Sequence, residues 1–249
     1  MIIILLTAIF KNNFGWDGKG DYRIASIDND QLKMVSISPE RKMINYLIVP
    51  SDSQIWIPGG LGWYEGKNIK NILNKEKKQY LIKEIFFYNF GFWPDKIYWN
   101  DLKLNWRSLG LFGWIKYVFF ENEMMVKEEK LNGDYIKNQI LIDEVAVRDF
   151  ADSKLLSMNI RLSLYNTTNV SGVANFLSQR MEWAGFSVMG VSNDEKKIDK
   201  CLIIGENNRL REIFHDCQFE KGENNGEIEM YFGDKFLEMI KYSSYVRTQ

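Results

Sequence analysis

The residues with the most specific chemistry are two cysteines, Cys201 and Cys217, which both lie in the C-terminal part of the chain. Cys201 opens an apolar run that is typical of a strand, and Cys217 closes a segment with helical spacing. A strand start and an adjacent helix end bring two Cα atoms within bridging distance. A disulfide there would contribute about 3 kcal/mol and would indicate an oxidising compartment. Two buried free thiols are the alternative, and the sequence does not separate the two states.

His215 is the single histidine of the chain, so any zinc site or catalytic site that needs a histidine would have to use it. The spacing of this histidine and the two cysteines does not fit a zinc site. A Ser-His-Asp or Cys-His catalytic site would have to use His215, which lies on a short predicted helix beside a cysteine. The glycines of residues 59–62 follow Pro58 and lack the Lys-Ser/Thr ending of a phosphate-binding loop, so they predict a turn.

The composition predicts a packed core and argues against a nucleic-acid partner. A chain of 249 residues can form one large domain or two of ordinary size. Hydrophobic residues make up 45% of the chain, and the formal net charge of −1 provides no basic field to attract a nucleic-acid backbone. Most of the 8 Trp, 12 Tyr and 16 Phe are expected in the core, and a minority are available for a carbohydrate- or lipid-facing surface.

The N-terminal residues 1–10 are apolar, but the run is too short to cross a bilayer, which needs about 20 apolar residues. The segment has neither the basic region nor the small-residue cleavage site of a signal peptide, so a cleaved signal peptide is not predicted. The run is either the first strand of the core or the trailing half of a membrane anchor. The polar, glycine-containing linker of residues 11–20 favours the anchor, because a core strand usually turns back sooner.

The most regular stretch of the C-terminal part predicts a βαβ unit. Residues 160–165 alternate apolar and polar side chains as a half-buried strand does, and residues 187–191 form the next strand. Ser171 is expected to cap the helix between them, and Gly185 is expected to end it in a left-handed conformation. The buried face of this helix is predicted to carry Val173, Phe176, Leu177, Met181 and Ala184.

Further strands and helices are predicted on both sides of this unit. Residues 202–205 are expected to form a strand, residues 208–217 a helix, and the alternating residues 227–232 an edge strand. Residues 69–90 have helical spacing with a lysine-rich outer face, and the apolar residues 106–120 are interpreted as a core helix rather than a membrane-facing segment. Strands are also predicted in the first half at residues 23–28, 31–38, 43–49, 54–57 and 96–99.

Part of the C-terminal half resembles the C-terminal domain of LytR-type proteins. In that family a strand ending in Asn leads through a Ser-Gly turn into a helix that closes on Ala-Gly-Phe. Residues 166–174 and 184–188 follow this order, and residues 233–236 are similar to the closing segment of the domain. Any βαβ unit of an α/β domain is the alternative interpretation.

The first half resembles, more weakly, the catalytic domain shared by LytR, CpsA and Psr proteins. Residues 47–53 correspond to its Ser-Ile-Pro-Arg-Asp-Thr motif, and residues 57–59 correspond to the Ile-Pro-Gly turn that follows. Residues 29–31 fall on its Arg-Ser-Asp-Thr segment, with Asp28 at the end of the preceding strand. The resemblance covers residues 22–100.

This second resemblance implies a site for a polyprenyl pyrophosphate and Mg²⁺. Family enzymes bind the pyrophosphate with several arginines, hold Mg²⁺ with two Asp and transfer a glycopolymer to peptidoglycan, because a hard cation and bidentate Arg contacts neutralise the diphosphate. On this basis Asp28 and Asp30 are candidate metal ligands, and Asp30 and Asp52 are candidate catalytic residues. A simple polar turn is the alternative for Asp28 and Asp30.

The chain departs from that family where its chemistry needs positive charge. Ser51 stands where the motif has an arginine, and the paired arginines further on have no counterpart. Only Arg107 and Arg148 are available in residues 91–150 as candidate binding residues. A pyrophosphate site with so few cations would be weak, so loss of the transferase chemistry is expected.

These observations together predict an α/β protein with two domains and a linker. Residues 1–20 are the anchor remnant and linker, residues 21–152 a reduced mixed-sheet domain, and residues 153–249 a smaller βαβ domain. The expected function is a non-catalytic, extracytoplasmic protein at the cell membrane that binds a cell-wall glycopolymer or an envelope protein. A Mg²⁺-dependent glycopolymer transferase is the alternative.

Overall fold

Two five-stranded mixed sheets, one formed by each half of the chain, make the framework of this α/β protein. The computed structural model describes residues 16–28, 31–100, 102–104, 109–110, 113–115, 117–118, 125–130, 146–222 and 226–242. The described elements of the first half are β1 (Tyr22–Ile27), β2 (Gln31–Ser38), β3 (Met43–Pro50), β4 (Gln54–Ile57), β5 (Gly62–Glu65), α1 (Gly66–Lys75), a 3₁₀ turn (Gln79–Leu81), α2 (Ile82–Phe90), β6 (Lys96–Tyr98), β7 (Met125–Lys130) and a π-helical turn (Ala146–Phe150). The second half contains α3 (Ser153–Met158), β8 (Arg161–Asn166), α4 (Val173–Ala184), β9 (Ser187–Asn193), β10 (Cys201–Ile204), α5 (Asn208–Ile213), β11 (Gln218–Glu220), β12 (Glu227–Phe232) and α6 (Asp234–Ile240).

The first sheet has the strand order β6-β1-β2-β3-β7. The central strand β2 is antiparallel to β1 and β3, whereas β6 and β7 pair in parallel with β1 and β3 respectively. The strands predicted at residues 23–28, 31–38 and 43–49 are confirmed, and their alternating side chains are buried on both faces of the sheet, in two core clusters. β4 and β5 form a separate hairpin.

The second sheet has the order β11-β10-β12-β8-β9, and β12 lies at its centre. The prediction of an edge strand at residues 227–232 is therefore wrong. β12 pairs in parallel with β8 and antiparallel with β10. Its apolar face, with Ile228, Met230 and Phe232, is buried, while Glu227 and Glu229 on the other face are half-buried. One covered face produces the same alternation in a central strand as at an edge.

The predicted βαβ unit is confirmed as β8-α4-β9, with the two strands paired in parallel. Helix α4 ends at Gly185 with φ at 107°, and the amides of Gly185 and Phe186 donate to Glu182 O and Met181 O, each at 3.0 Å. This is the paired hydrogen bonding of a Schellman motif. The N-cap differs from the prediction, because Gly172 occupies that position and no side chain caps the helix.

The helix predicted over residues 69–90 is broken into α1 and α2. Lys77 lies between them in a left-handed conformation, with φ at 55°, and ends the continuous helical path. Buried side chains of both helices pack against the first sheet, including Ile69, Leu73, Ile85 and Phe86. The apolar spacing was preserved across the break, which explains why the sequence pattern alone favoured one helix.

Hydrophobic packing is continuous between the two halves. Trp56, Phe87 and Trp93 of the first half belong to the same buried cluster as the core of the second sheet. Asn89 fixes Trp56 from α2, since its amide nitrogen donates to Trp56 O at 2.8 Å and its oxygen accepts from Trp56 N at 3.0 Å. Conversely, Trp183 of α4 packs in the cluster of the first sheet. Helices α2 and α4 therefore join the sheets.

Two sequence predictions fall wholly or partly beyond the described ranges. Residues 1–10, the expected anchor, lie outside them. Within residues 106–120 the described positions 109–110, 113–115 and 117–118 are helical, and Leu109 is buried against the outer face of the first sheet. Among the described residues, no helix is both long and apolar enough to span a bilayer.

Candidate functional site

Two acidic residues from the motif resemblance lie at one end of the first sheet. Asp28 follows β1, and its Oδ1 accepts a hydrogen bond from the amide of Gln31 at 2.8 Å. Gln31 pairs with Pro50 across β2 and β3, so the start of the loop with exposed Asp52 lies at the same sheet end. Asp28 closes a polar turn there. Asp30 lies outside the described residues.

Arg148, the candidate binding residue, lies near the other end of that sheet. Its Nε donates to Asp149 Oδ1 at 3.0 Å, and the main-chain oxygen of Asp149 accepts from Asn45 at 2.8 Å. Asn45 is five positions before Pro50 on β3, a separation of about 16 Å along an extended strand. The Arg148 guanidinium is therefore held away from Asp28 and Asp52. Arg107 lies outside the described residues.

The described acidic residues do not fit a magnesium site. No three His, Cys, Asp or Glu side chains in the described part of the chain are grouped closely enough to hold a metal ion. Mg²⁺ requires close octahedral oxygen coordination, usually with carboxylates converging on it. The Asp28 carboxylate instead accepts the main-chain hydrogen bond that closes its turn.

A buried cluster of charges joins the two halves on one side of the molecule. We call Arg23, Asp95, Asp152 and Arg209 the charged clasp. Arg23 is 1% exposed, and its Nη2 donates to Asp152 Oδ2 at 2.5 Å. Arg209 Nη2 lies 3.3 Å from Asp95 Oδ1 and 3.6 Å from Asp152 Oδ2. Strand β1 and helix α5 are thus held together through shared carboxylates.

The pKa of Asp152 is lowered by its pairing in the clasp. Burial by itself would raise this pKa, but the positive charges of Arg23 and Arg209 and the amides of Lys154 and Leu155 outweigh burial and lower it. Those two amides donate to Asp152 because it also caps helix α3. In the clasp both carboxylates have cationic partners, whereas Arg23 Nε donates no hydrogen bond and lies 4.0 Å from Asp95 Oδ2.

Cys201 and Cys217 are joined by a disulfide, with a Cα–Cα distance of 4.9 Å. The bond connects the start of β10 to the segment between α5 and β11. Both cysteines are buried. It fixes the backbone of residues 213–217, which carries His215 and Asp216 on one side of a cleft.

This cleft lies between the two halves and encloses a volume of about 320 Å³. The first half contributes the turn at Gly59 and the segment from Lys78 to Tyr88. Gly59 is connected to the second half, because its amide donates to Ile240 O at 3.1 Å. The apolar walls of the cleft are formed by Leu81, Ile213, Phe214, Phe236, Met239 and Ile240.

Six titratable side chains line the cleft, and four of them, Glu84 and Tyr88 of α2 and His215 and Asp216 of the segment after α5, interact with one another. Burial raises the pKa of Glu84, and Asp216 raises it further while His215 lowers it. Burial also raises the pKa of Tyr88 well above its ordinary value, with Glu84 and Asp216 adding to the effect. These mutual interactions place the four groups in one electrostatic neighbourhood.

Glu84 differs from Asp216, the other acid that lines the cleft, in having no hydrogen-bond or ion-pair partner among the described residues. Asp216 lies 3.5 Å from both Lys200 Nζ and His215 Nε2. Lys78, on the cleft wall, donates its Nζ to Gly59 O at 3.1 Å. Among the described residues, no hydrogen-bond donor or cation pairs with the Glu84 carboxylate. An apolar pocket with convergent polar groups and a raised carboxyl pKa is the usual form of a binding site.

Sequence reasoning missed Glu84 entirely. It occurs in the lysine-rich outer face expected for residues 69–90, where an acidic residue is ordinary. His215 was noted as the single histidine, but nothing local connected it with residues some 130 positions earlier. Only the packing of α2 against the segment after α5 brings these groups together.

The fold is that of a mixed α/β protein, and an apolar-walled cleft that contains two carboxylates lies between its two halves. Comparisons with protein-family models, with curated proteins and with solved structures found no match. The function must therefore be argued from the site itself.

Proposed function

We propose that the protein is an extracytoplasmic, envelope-associated binding protein that holds a cell-wall polymer or a protein partner without catalysing a reaction. The observation that carries the proposal is the cleft between the sheets, where Glu84 faces apolar walls without a described partner. An unneutralised, partly buried carboxylate is unfavourable in a free protein and becomes favourable when a ligand supplies the missing charge.

The envelope location is supported by the disulfide and by the motif resemblance. A Cys201–Cys217 bond persists in an oxidising compartment. In this proposal residues 1–20 connect the protein to the membrane, residues 21–152 form the reduced LytR-CpsA-Psr-like domain, and residues 153–249 form the LytR-type C-terminal domain. The βαβ unit of β8, α4 and β9 agrees with the last part.

The positions of the described arginines support the non-catalytic part of the proposal. Ser51 replaces the motif arginine, and Arg148 is paired with Asp149 far from Asp28 and Asp52. A diphosphate needs several convergent cations to be held for transfer. Near Asp52 the described residues place Lys67, a single cation, while Arg148 pairs with Asp149, whose main chain is bonded to Asn45, five positions before Pro50 on β3.

The test is cosedimentation of the purified protein with cell-wall sacculi and with solubilised envelope proteins. We expect saturable binding to one of the two by the wild type and loss of that binding in Glu84→Gln. Glu76→Gln is the matched control, because Glu76 is exposed just beyond α1 and the substitution removes the same charge. Absence of binding to both preparations would contradict the proposal.

A Mg²⁺-dependent transferase that attaches a polyprenyl-pyrophosphate-linked glycopolymer to the wall is the second candidate function. The observation in its favour is that Asp28 and Asp52 lie at the same sheet end. Phosphate release from a polyprenyl pyrophosphate that requires Mg²⁺ and falls in Asp30→Ala and Asp52→Asn would establish it and overturn the non-catalytic proposal. Unchanged metal binding and ligation in Asp30→Ala would exclude it.

A further inference from the structure

We infer that the cleft binds a primary ammonium group at the end of a methylene stem, the chemistry of a lysine-type side chain in a peptide. The inference rests on the proposed binding function and names the chemical class of ligand that the cleft takes. It is carried by three features of the same cavity: an unpartnered carboxylate, apolar walls and an exposed aromatic ring at the rim.

The carboxylate supplies the recognition of charge. Glu84 is half-buried and, within the described ranges, accepts no hydrogen bond and forms no ion pair. An ammonium group offers three donors and a compact positive charge, so it would replace the water that burial has partly removed from this carboxylate. The contact would be a charge-assisted hydrogen bond, which is stronger than a neutral one.

The walls of the cleft fit a stem of methylene groups. Leu81, Phe214 and Phe236 are buried around the cavity, and Met239 is partly exposed at its edge. Removing a methylene group from water contributes about 0.8 kcal/mol. An amino sugar carries its amine directly on a polar ring and has no such stem. The apolar lining therefore favours a lysine-type side chain over an amino sugar.

Tyr80 gives the third feature, an aromatic ring available to a cation. Its side chain lines the cleft, and the residue is 70% exposed. An ammonium group within about 6 Å of an aromatic ring is attracted by the electron density of its face. A carboxylate and a tyrosine ring beside one cavity form a suitable pair for an organic cation.

The charges around Glu84 disfavour an anionic ligand. Glu84 interacts electrostatically with Tyr88 of its own helix and with His215 and Asp216 of the segment after α5. Lys78 directs its ammonium group to the main-chain oxygen of Gly59, and Lys200 lies beside Asp216. Two carboxylates thus oppose a phosphate or a diphosphate in the cleft. A metal ion is also disfavoured, since no three acidic, histidine or cysteine ligands converge among the described residues.

The test uses isothermal titration of the full chain with a lysine probe, Nα-acetyl-lysine methylamide. We expect one saturable site in the wild type, at least tenfold weaker binding in Glu84→Gln and unchanged binding in Glu76→Gln. Acetylation of the side-chain amine of the probe should abolish binding, because the charge is lost while the stem stays. A thermal melt of each variant confirms that the fold is intact.

Two further arms separate the possible outcomes. Tighter binding of glucosamine than of the lysine probe would overturn the assignment to a lysine-type stem. Failure of the wild type to bind the lysine probe, while it still binds sacculi or envelope protein, would overturn the ammonium inference and leave the proposed function standing. Failure to bind sacculi and envelope proteins, with the lysine probe still bound, would overturn the proposed function alone.

Discussion

Two carboxylates at the junction of the sheets, Asp152 and Glu84, have opposite environments. Asp152 is 7% exposed and contacts Arg23 and Arg209, so its pKa is lowered despite burial. Glu84 is half-buried in a cavity without a described partner, and its pKa is raised, chiefly by burial. Burial acts in the same direction on both acids, and the difference lies in the neighbouring cations.

The two acids have different roles: Asp152 stabilises the junction, and Glu84 is proposed to bind a ligand. The clasp has its cations built in, so its charges stabilise the junction and are closed to a ligand. The cleft lacks the cation that its carboxylate needs, so a ligand with positive charge completes it.

The largest effect is expected from Asp152→Asn. Asparagine keeps the cap of α3 but leaves the Arg23 guanidinium, which is 1% exposed, without its shortest ion pair. Removing one partner of a buried pair typically costs about 3–5 kcal/mol in the free energy of unfolding. Urea denaturation measures the change.

The control for Asp152→Asn is Asp199→Asn, which breaks the exposed pair with Lys235. Exposed pairs contribute little, so no measurable change in stability is expected there. Equal losses in the two variants would show that burial does not distinguish the clasp from an ordinary surface pair.

A smaller loss is expected when Cys201 and Cys217 are both replaced by serine. The bond closes a loop with a sequence separation of 16, for which chain entropy gives about 3 kcal/mol. Urea denaturation with and without a reducing agent should give the same difference in the wild type. Because Cys217 borders the cleft, binding of the lysine probe should weaken as well. Unchanged stability under reduction would contradict the contribution assigned to the bond.

Glu84→Gln should leave the free energy of unfolding nearly unchanged or raise it. The substitution removes a partly desolvated charge that has no described partner, and the gain is expected to stay below about 1 kcal/mol because the side chain is half-exposed. Chemical denaturation at neutral pH measures it. A loss comparable to that of Asp152→Asn would mean that Glu84 has a structural partner.

The two acids should also differ in the pH dependence of stability. The raised pKa of Glu84 means that the folded protein binds its proton more tightly, so its contribution is present below the ordinary carboxyl pKa and is lost as pH rises through the raised value. The lowered pKa of Asp152 gives a contribution that is present above its ordinary pKa and is lost as pH falls through the lowered value.

Differences between each variant and the wild type, measured from acid to neutral pH, isolate these two contributions. The wild type should lose stability relative to Glu84→Gln as pH rises, and relative to Asp152→Asn as pH falls. Curves of the same sign for both variants would show that the two sites are electrostatically alike.

The sequence predicted the local parts of this comparison but not the sites themselves. The β1–β2 hairpin and the end of α4 at Gly185 follow from patterns within a few residues, and both are confirmed. The central place of β12 depends on pairing with β8 and β10, which lie far away in the chain. Glu84 and Asp152 look alike in sequence, and only tertiary packing decides which of them meets an arginine.

The break between α1 and α2 was also not predictable from the local sequence pattern. The apolar spacing of residues 69–90 continues across Lys77, so periodicity gave no sign of the left-handed residue there. The break precedes Glu84, and α2 beyond it contributes buried side chains to the core clusters of both sheets. The cleft depends on this non-local arrangement.

The central claim is that the Glu84 carboxylate is a cation-binding group without a partner of its own. An NMR titration of this carboxyl, with and without n-butylammonium, tests the claim most directly. A bound ammonium group stabilises the ionised form, so the pKa of Glu84 is predicted to fall when the amine is added and to stay unchanged with n-butanol. A pKa that is already below the ordinary carboxyl range in the free protein, or that does not respond to the amine, would contradict the account.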